Sequence, residues 1–246
     1  LSVLPGFHLS RAATTKPMPP NPIPPPSTSS PTSSSSGQRL ATPVPMDLME
    51  EDGPNVTGSG PVDLERIARA VREILFAVGE DPDREGIRDT PNRVARMYAE
   101  VFQGLHQNPR NHLRTAFTET YEDTILIRDI AFISFCEHHL LPFVGKAHVA
   151  YRPRGRVVGL SKVPRVVDVL SRRPQLQERL TTDLADLLHR ELDAQGVAVM
   201  VEATHSCMTI RGVSKPGSSC WTFAMRGVYE ADPALRAEVL AMVRGV

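Results

Sequence analysis

The sequence predicts an α+β protein whose strands form a largely antiparallel sheet. Two observations lead to this fold class. Runs rich in β-branched and aromatic residues cluster between 124 and 159 and recur after 196. Apolar residues at helical spacing form paired segments around those clusters. Strands grouped around paired helices are typical of α+β domains.

The amino-terminal helices are predicted from apolar spacing and from capping residues. An apolar stripe at helical spacing begins at Leu64 and continues to Val78, which predicts a first helix. Thr90 is predicted to be the N-cap of a second helix, with Pro91 at its first helical position.

Four short strands are expected in the middle of the chain. Their sequences are rich in Val, Ile and aromatic residues and are joined by turns such as Pro153-Arg154-Gly155. The expected strands are 124–127, 131–135, 144–151 and 157–158.

The carboxyl-terminal part combines two further helices, two strands and a closing helix. Helical periodicity over 163–170 and 176–192 predicts the first two helices, and the second is expected to end at Gly196. The two strands and the closing helix are expected at 197–203, 222–228 and 232–243, with Asp232-Pro233 as the cap and first turn of that helix.

Composition divides the chain into two parts. Pro, Ser, Thr and Gly dominate from about residue 11 to 60, and such sequence cannot bury enough apolar surface to offset its ordering entropy. We therefore predict a disordered tail over 1–60 and one folded domain over 61–246. Within that domain, helices are expected at 61–106 and a sheet-containing core at 120–246.

Charge and cysteine content exclude several classes of protein. The chain has 28 acidic and 28 basic residues, so nothing favours nucleic acid or a charged membrane surface as a partner. No apolar run approaches the roughly 20 residues that span a bilayer. Three cysteines are too few for a disulfide framework and suit a reducing compartment, so a cytoplasmic location is expected.

Two segments at the ends of predicted strands offer metal ligands. Cys136 and His139 form a Cys-x-x-His pair, whose tight turn can aim a thiolate and an imidazole at one ion. Cys207, which follows His205-Ser206, offers a second thiolate. Two cysteines and one histidine leave the fourth tetrahedral position of Zn²⁺ open for water, as a catalytic site requires.

The cysteine pattern also allows a closed structural site. Cys220 could supply a fourth ligand and leave no position for water. However, His138 and His205 lie beside the proposed ligands, and neutral imidazoles can take and give protons near pH 7. Because a purely structural site has no use for such groups, the sequence favours a catalytic metal.

Basic and hydroxyl side chains suggest a phosphate site. The segment 159–165 passes from a strand end into a helix, where backbone N–H groups and cationic side chains can hold an anion. Taken singly, each candidate is more typical of a capped helix or a solvated surface charge than of a phosphate site. The candidates are Ser161, Lys162, Arg165, Arg93, Arg96 and Arg211.

Gln177 and Glu178 offer an amide and a carboxylate in tandem at the start of a long predicted helix. A carboxylate can accept two hydrogen bonds from the N1–H and 2-amino edge of a guanine. The alternative is an exposed glutamate that the helix dipole favours in the first turn.

Together these motifs resemble the GTP cyclohydrolase I family. The resemblance runs from about residue 63 to the end of the chain and leaves the amino-terminal tail outside. The matching segments are Thr90-Pro91 to Tyr98, Cys136-Glu137-His138-His139, Gly159-Leu160-Ser161-Lys162 with Arg165, residues 173–180, and His205-x-Cys207 with Arg211-Gly212.

The resemblance implies a tunnelling fold, in which antiparallel sheets from several subunits join into a barrel with helices outside. It further implies a homo-oligomer, expected to be a decamer, with active sites between subunits. The implied reaction is zinc-dependent hydrolysis of the guanine imidazole ring of GTP. Its products would be formate and 7,8-dihydroneopterin triphosphate, in the first step of tetrahydrofolate and pterin biosynthesis.

The resemblance also assigns a role to each candidate residue, and its ligand set agrees with the count reached from spacing. The implied roles are zinc binding for Cys136, His139 and Cys207, proton transfer for His138 and His205, guanine binding for Glu178 with Gln177, and triphosphate binding for Arg93, Arg96, Ser161, Lys162, Arg165 and Arg211.

Two features depart from the family pattern. Cys220-Trp221 occupies a stretch that is usually rich in Ser and Thr, and His148 has no assigned role. A competing interpretation is another tunnelling-fold enzyme, such as a nitrile reductase that acts on a deazaguanine with a nicotinamide cofactor. That chemistry needs a cysteine nucleophile free of metal.

Overall fold

The computed structural model describes residues 62–245, and the predicted tail over 1–60 lies outside them. Two 3₁₀ turns, Gln103–His106 and Pro109–His112, follow the second helix. The helices are α1 (Leu64–Ala77), α2 (Thr90–Val101), α3 (Lys162–Ser171), α4 (Gln177–Leu192), α5 (Ser206–Thr209), α6 (Val228–Ala231) and α7 (Pro233–Arg244). The strands are β1 (Ala116–Thr118), β2 (Ile125–Cys136), β3 (Pro142–Arg152), β4 (Arg156–Val158), β5 (Pro174–Gln175), β6 (Gly196–His205) and β7 (Cys220–Gly227).

Five strands form one sheet in the order β5-β2-β3-β6-β7. The four longer strands pair antiparallel, and the two-residue β5 runs parallel to β2. β1 and β4 form a separate antiparallel pair, so ordered strand structure begins slightly before the core expected at 120–246. The predicted α+β class with a largely antiparallel sheet is confirmed.

β2 is one continuous strand, although two strands were expected at 124–127 and 131–135. A β-bulge between Ile127 and Ile130 joins the two parts, and Asp129 adopts a left-handed backbone with φ of 57°. The backbone N–H of Asp129 donates to Nδ1 of the buried His148, 3.3 Å away. The polar interruption that suggested a loop is therefore a bulge inside the strand.

Two predicted element boundaries need correction. The N-cap of α2 is Asp89, and Thr90 is the first helical residue. α4 ends at Leu192 with Asp193 as a left-handed C-cap, whereas the expected terminator Gly196 begins β6. A Cβ on Gly196 would lie 2.8 Å from a Val228 methyl group, so this glycine permits close packing between chain segments. The predicted cap of the closing helix is confirmed, because the Asp232 side chain accepts from Ala234 N at 2.7 Å.

α3 and α4 pack on one face of the sheet. Val149 and Val199 of the sheet are fully buried with Val163 and Leu184 of the helices, and burial of each such side chain stabilises the fold by roughly 1.5–3 kcal/mol. Side chains at alternate strand positions point to the opposite face, where α6 and α7 cover one end. The buried members of this smaller cluster are Ala150, Ala198, Tyr229 and Val239.

β5 was not predicted, yet it places a functional segment. Pro174 and Gln175 pair with Phe135 and Cys136 at the end of β2, and Glu137 N donates to Gln175 O at 3.2 Å. This short parallel pairing brings the start of α4 beside the Cys-x-x-His turn. Within residues 62–245, no helix is both long and apolar enough to cross a membrane.

Candidate active site

The candidate site lies where β2 and β6 end at the same edge of the sheet. β3 pairs with both strands, so that Phe143 lies opposite Ser134 on one side and opposite His205 on the other. Cys136 is the last residue of β2, and Cys207 lies in α5 directly after β6. The register of the sheet therefore brings the two predicted cysteine ligands together.

A tight turn directs His139 toward the same point. The N–H groups of His139 and Leu140 both donate to Cys136 O, at 3.3 and 2.8 Å, and Leu140 has a φ of 51°. Glu137 within this turn forms a two-pronged ion pair with Arg179 of α4, at 2.7 and 3.2 Å. The pKa of Glu137 is lowered chiefly by this hydrogen bond. Sequence reasoning missed the pair, although both residues lie in segments already singled out.

Cys136, His139 and Cys207 form a group that can hold a metal ion. One ligand atom from each lies within 4.8 Å of the other two. Nε2 of His139 is 2.9 Å from an Arg211 nitrogen, while Nδ1 lies 3.9 Å from Cys136 Sγ. Burial, followed by the neighbouring Cys136, raises the pKa of the Cys207 thiol. A divalent cation bound beside Cys207 would stabilise its thiolate form and so overcome this resistance to ionisation.

Cys220 is not a member of this group within the described part of the chain. It begins β7, and its thiol has a raised pKa because of burial and the negative charge of Glu178. The geometry thus provides three ligands, which leaves a tetrahedral ion one open position. This arrangement disfavours the closed four-ligand alternative.

The two candidate proton-transfer histidines occupy different environments. His138 is exposed, with Nδ1 3.9 Å from Cys136 Sγ. His205 is half-buried and lies flat on the Phe143 ring, with centroids 4.5 Å apart and planes 7° apart. Burial lowers the pKa of His205, and the nearby Glu178 carboxylate opposes that shift. His205 therefore favours its neutral form in this pocket.

The side chain of Gln177 is hydrogen-bonded within the protein. Its side chain is 2% exposed, and Nε2 donates to Val201 O and Cys220 O, both at 3.0 Å. Oε1 lies 2.7 Å from Nε2 of His205. The amide group is thus committed to protein partners, and no hydrogen is left over for a guanine base. Glu178, by contrast, is exposed, and its carboxylate makes no hydrogen bond or ion pair among residues 62–245.

The predicted phosphate-binding residues fall into two sets. Ser161 directly precedes α3 and its hydroxyl makes no capping hydrogen bond, while Lys162 begins the helix. Arg211 is exposed and touches His139, so it lies at the metal-binding group. Arg165 is exposed one turn into α3.

Arg93 and Arg96 form the second set, and among the described residues neither makes a hydrogen bond or ion pair with the metal-binding group. They lie exposed on α2, which packs mainly against α1. The Arg93 guanidinium donates to Thr90 Oγ1 of its own helix at 2.9 Å.

Comparison with known proteins places these motifs in a family. The profile of the GTP cyclohydrolase I family matches residues 67–244. This range covers almost all of the described chain and contains every candidate site residue.

Individual relatives agree with that match. A protein named GTP cyclohydrolase 1 from Rhodopirellula baltica is 62% identical over 182 residues, which cover 74% of this chain and 80% of the relative. The proteins of that name from Brevibacillus brevis and Bacillus subtilis are 60% and 57% identical over 184 residues, which cover 74% of this chain and 98% and 97% of the relatives. The chain therefore belongs to the GTP cyclohydrolase I family.

Proposed function

We propose that this chain is a hydrolase that acts on a cyclic amidine carbon–nitrogen bond, with GTP as its substrate. It opens the guanine imidazole ring, releases C8 as formate and forms 7,8-dihydroneopterin triphosphate, the first step of tetrahydrofolate and pterin biosynthesis. The observation that carries the proposal is the convergence of Cys136, His139 and Cys207 beside His205, in a chain that belongs to this family.

The metal proposed at this group is Zn²⁺. Two thiolates and one imidazole are ligands that zinc prefers, and three protein ligands are the usual number at its catalytic sites. When bound, zinc supplies a water molecule whose pKa is close to neutral. Cys136, His139 and Cys207 would hold the ion, and the same ligation would withhold both thiols from the nucleophilic role that a nitrile reductase requires.

The base is proposed to bind through Glu178. Its free carboxylate can accept hydrogen bonds from guanine N1–H and the 2-amino group, and the two together fix the orientation of the ring. Protonation at guanine N7 makes C8 electrophilic, and the proposed proton donors are His138, next to Cys136, and His205, two residues before Cys207.

The triphosphate is proposed to bind along Ser161, Lys162, Arg165 and Arg211. Backbone N–H groups at the start of α3 and the cationic side chains give this edge of the site a positive potential. Arg93 and Arg96, which are exposed on α2, would reach the same phosphates from a neighbouring copy of the chain.

A homo-oligomer, proposed to be a decamer, is supported by the edge and face of the sheet. β7 lies at one end of the sheet order, and no described strand pairs with its outer side. Unpaired strand edges favour association with another strand. Exposed apolar side chains on the face away from α3 and α4 would be covered in a barrel of such sheets: they are Ile133, Val144, Trp221 and Phe223.

The unpaired thiols among the described residues support the proposed cytoplasmic location.

The test is incubation of the purified full chain with GTP, with formate release and the absorbance of the oxidised pterin as readouts. Formate and pterin should appear together and stop when a zinc chelator is added, then return when zinc is restored. Guanosine, which lacks the triphosphate, is the matched control substrate. No formate from a metal-replete, assembled protein would refute the proposed reaction.

A further inference from the structure

The buried amide of Gln177 has a polarity that its neighbours fix. Nε2 faces the carbonyl oxygens of Val201 and Cys220, and the Thr222 hydroxyl lies 3.1 Å away as a further acceptor. Rotating the amide by half a turn would place Oε1 against two carbonyl oxygens, which cannot donate. Oε1 is therefore the atom that faces His205.

This polarity determines which ring nitrogen of His205 donates to Gln177. An amide oxygen accepts only, so His205 Nε2, 2.7 Å away, must be the donor. In a neutral imidazole the other nitrogen is then an unprotonated acceptor. Nδ1 of His205 makes no hydrogen bond within the described residues, and it is not buried away from solvent. The lone pair of Nδ1 is thus free at the edge of the candidate site.

The orientation of the ring is fixed as firmly as its tautomer. Phe143 is 1% exposed and stacks on one face of the imidazole, which blocks tilting. The hydrogen bond to Gln177 blocks rotation within the ring plane. Gln177 is itself anchored in three elements, at the start of α4, on β6 and on β7.

We infer that Gln177 is a positioning residue that holds His205 as its Nε2–H tautomer, so that His205 exchanges protons with the substrate through Nδ1. The inference rests on the proposed function for the identity of the substrate, and it replaces the guanine contact expected for Gln177. Nothing in the inference requires Gln177 to touch GTP. Loss of the amide should therefore slow turnover without weakening substrate binding.

The kinetic test compares three variants of the full-length, metal-replete protein. Gln177→Leu should lower kcat by about 100-fold, the size expected when an acid–base group loses its orientation, and change KM by no more than about threefold. Gln177→Glu keeps an acceptor oxygen toward His205 and should recover part of the lost kcat, but its second oxygen would face Val201 O and Cys220 O, so it should also lower the unfolding temperature. Zinc content should be unchanged in both.

Thr181→Val is the matched control. Thr181 is buried beside Gln177, bonds to Gln177 O at 2.7 Å and to the Thr222 hydroxyl at 2.6 Å, and does not touch His205. It should lower the unfolding temperature about as much as Gln177→Leu, yet leave kcat within about twofold of the unmodified protein. A Gln177→Leu variant with raised KM and normal kcat would instead support the guanine contact and overturn the inference.

A spectroscopic test separates this inference from the proposed reaction. Nitrogen-15 spectra of histidine-labelled protein at neutral pH distinguish protonated from unprotonated ring nitrogens, and a His205→Gln sample identifies the His205 signals. We expect a protonated Nε2 in the unmodified protein and in Thr181→Val, and a mixture of tautomers in Gln177→Leu. A protonated Nδ1 in the unmodified protein refutes the inference whether or not GTP is turned over. Absence of formate with the expected spectrum refutes the proposed function alone.

Discussion

Replacement of Gly104 by alanine tests how the turn that follows α2 packs against α3. Gly104 lies in the turn Gln103–His106, against the end of α3. A Cβ at this position would lie 2.2 Å from Val169 O and 2.8 Å from Arg172 O. Backbone oxygens cannot rotate away, so the turn must move by about 1 Å to restore ordinary contact distances.

That movement disturbs two hydrogen bonds. Gly104 N donates to Arg172 O at 3.0 Å, and the Arg173 guanidinium donates to Gly104 O at 2.7 Å. Burial lowers the pKa of Arg173, and its Nε has no partner among the described residues, so this cation depends on its remaining bonds. Overpacking destabilises the fold by about 1–3 kcal/mol, and weakening a hydrogen bond to a charged group destabilises it by about 1.5–3 kcal/mol. Alanine offsets about 0.4–1 kcal/mol of this loss because it lowers the conformational entropy of the unfolded chain. The net loss should be about 3 kcal/mol.

Thermal unfolding measures this loss directly. At about 2–4 °C per kcal/mol for a chain of this size, Gly104→Ala should lower Tm by about 6–12 °C. Gly86→Ala is the matched control, because its Cβ would meet only the flexible end of Arg84, at 3.2 Å. The control should unfold within about 2 °C of the unmodified protein. Equal unfolding temperatures for the two variants would show that the turn does not dock as described.

Four further substitutions test the site and the sheet. Cys207→Ala should abolish zinc binding and turnover. His138→Ala should retain zinc, measured by atomic absorption, and lower kcat by about 100-fold. Loss of zinc from His138→Ala would instead show that His138 is a ligand. Lys162→Ala should raise KM for GTP by about tenfold and leave formate release from guanosine unchanged. An equal effect on both substrates would show that the triphosphate does not bind at Lys162. Burial lowers the pKa of His148 below its ordinary 6.5, so the unfolded chain binds the extra proton and stability falls as pH drops below 6.5. Between pH 7.5 and 5, the Tm of His148→Leu should therefore fall less than the Tm of the unmodified protein. Equal falls would show that the lowered pKa of His148 does not contribute to the pH dependence of stability. The charged groups around His148, which both proteins keep, are Asp129, Glu202, Arg128 and Lys146.

The sequence predicted features that depend on nearby residues in the chain. The apolar stripes of α1, α4 and α7 follow helical spacing, and the Asp232 cap is a local hydrogen bond. The metal-binding group was also predictable, because Cys136 and His139 need only a tight turn and Cys207 was the remaining partner beside a strand end. Local signals of this kind survive folding because tertiary packing reinforces them.

The features that sequence reasoning missed depend on residues far apart in the chain. β5 has two residues, too few for any periodicity, and it exists because β2 offers a free edge. Gln177 looked like a ligand for the base because its polar side chain stands next to Glu178. Only the pairing of β6 with β7 places Val201 O and Cys220 O around its amide. The motif thus indicated the site, whereas the hydrogen-bond partners of Gln177 depend on strand pairing that the sequence does not show.

The bulge in β2 explains how one strand serves both the core and the metal-binding group. Before the bulge, Ile125 and Ile127 face α3 and α4, at odd positions; after it, Ile130 and Cys136 face the same side, at even positions. A strand without the extra residue would keep odd positions inward and turn Cys136 to the opposite face, away from Cys207. The left-handed conformation of Asp129 supplies that one-residue change of phase. Arg128 and Asp129 interrupt the apolar pattern and so suggested two strands. The bulge that they form places Cys136 on the same face of the sheet as the rest of the metal-binding group.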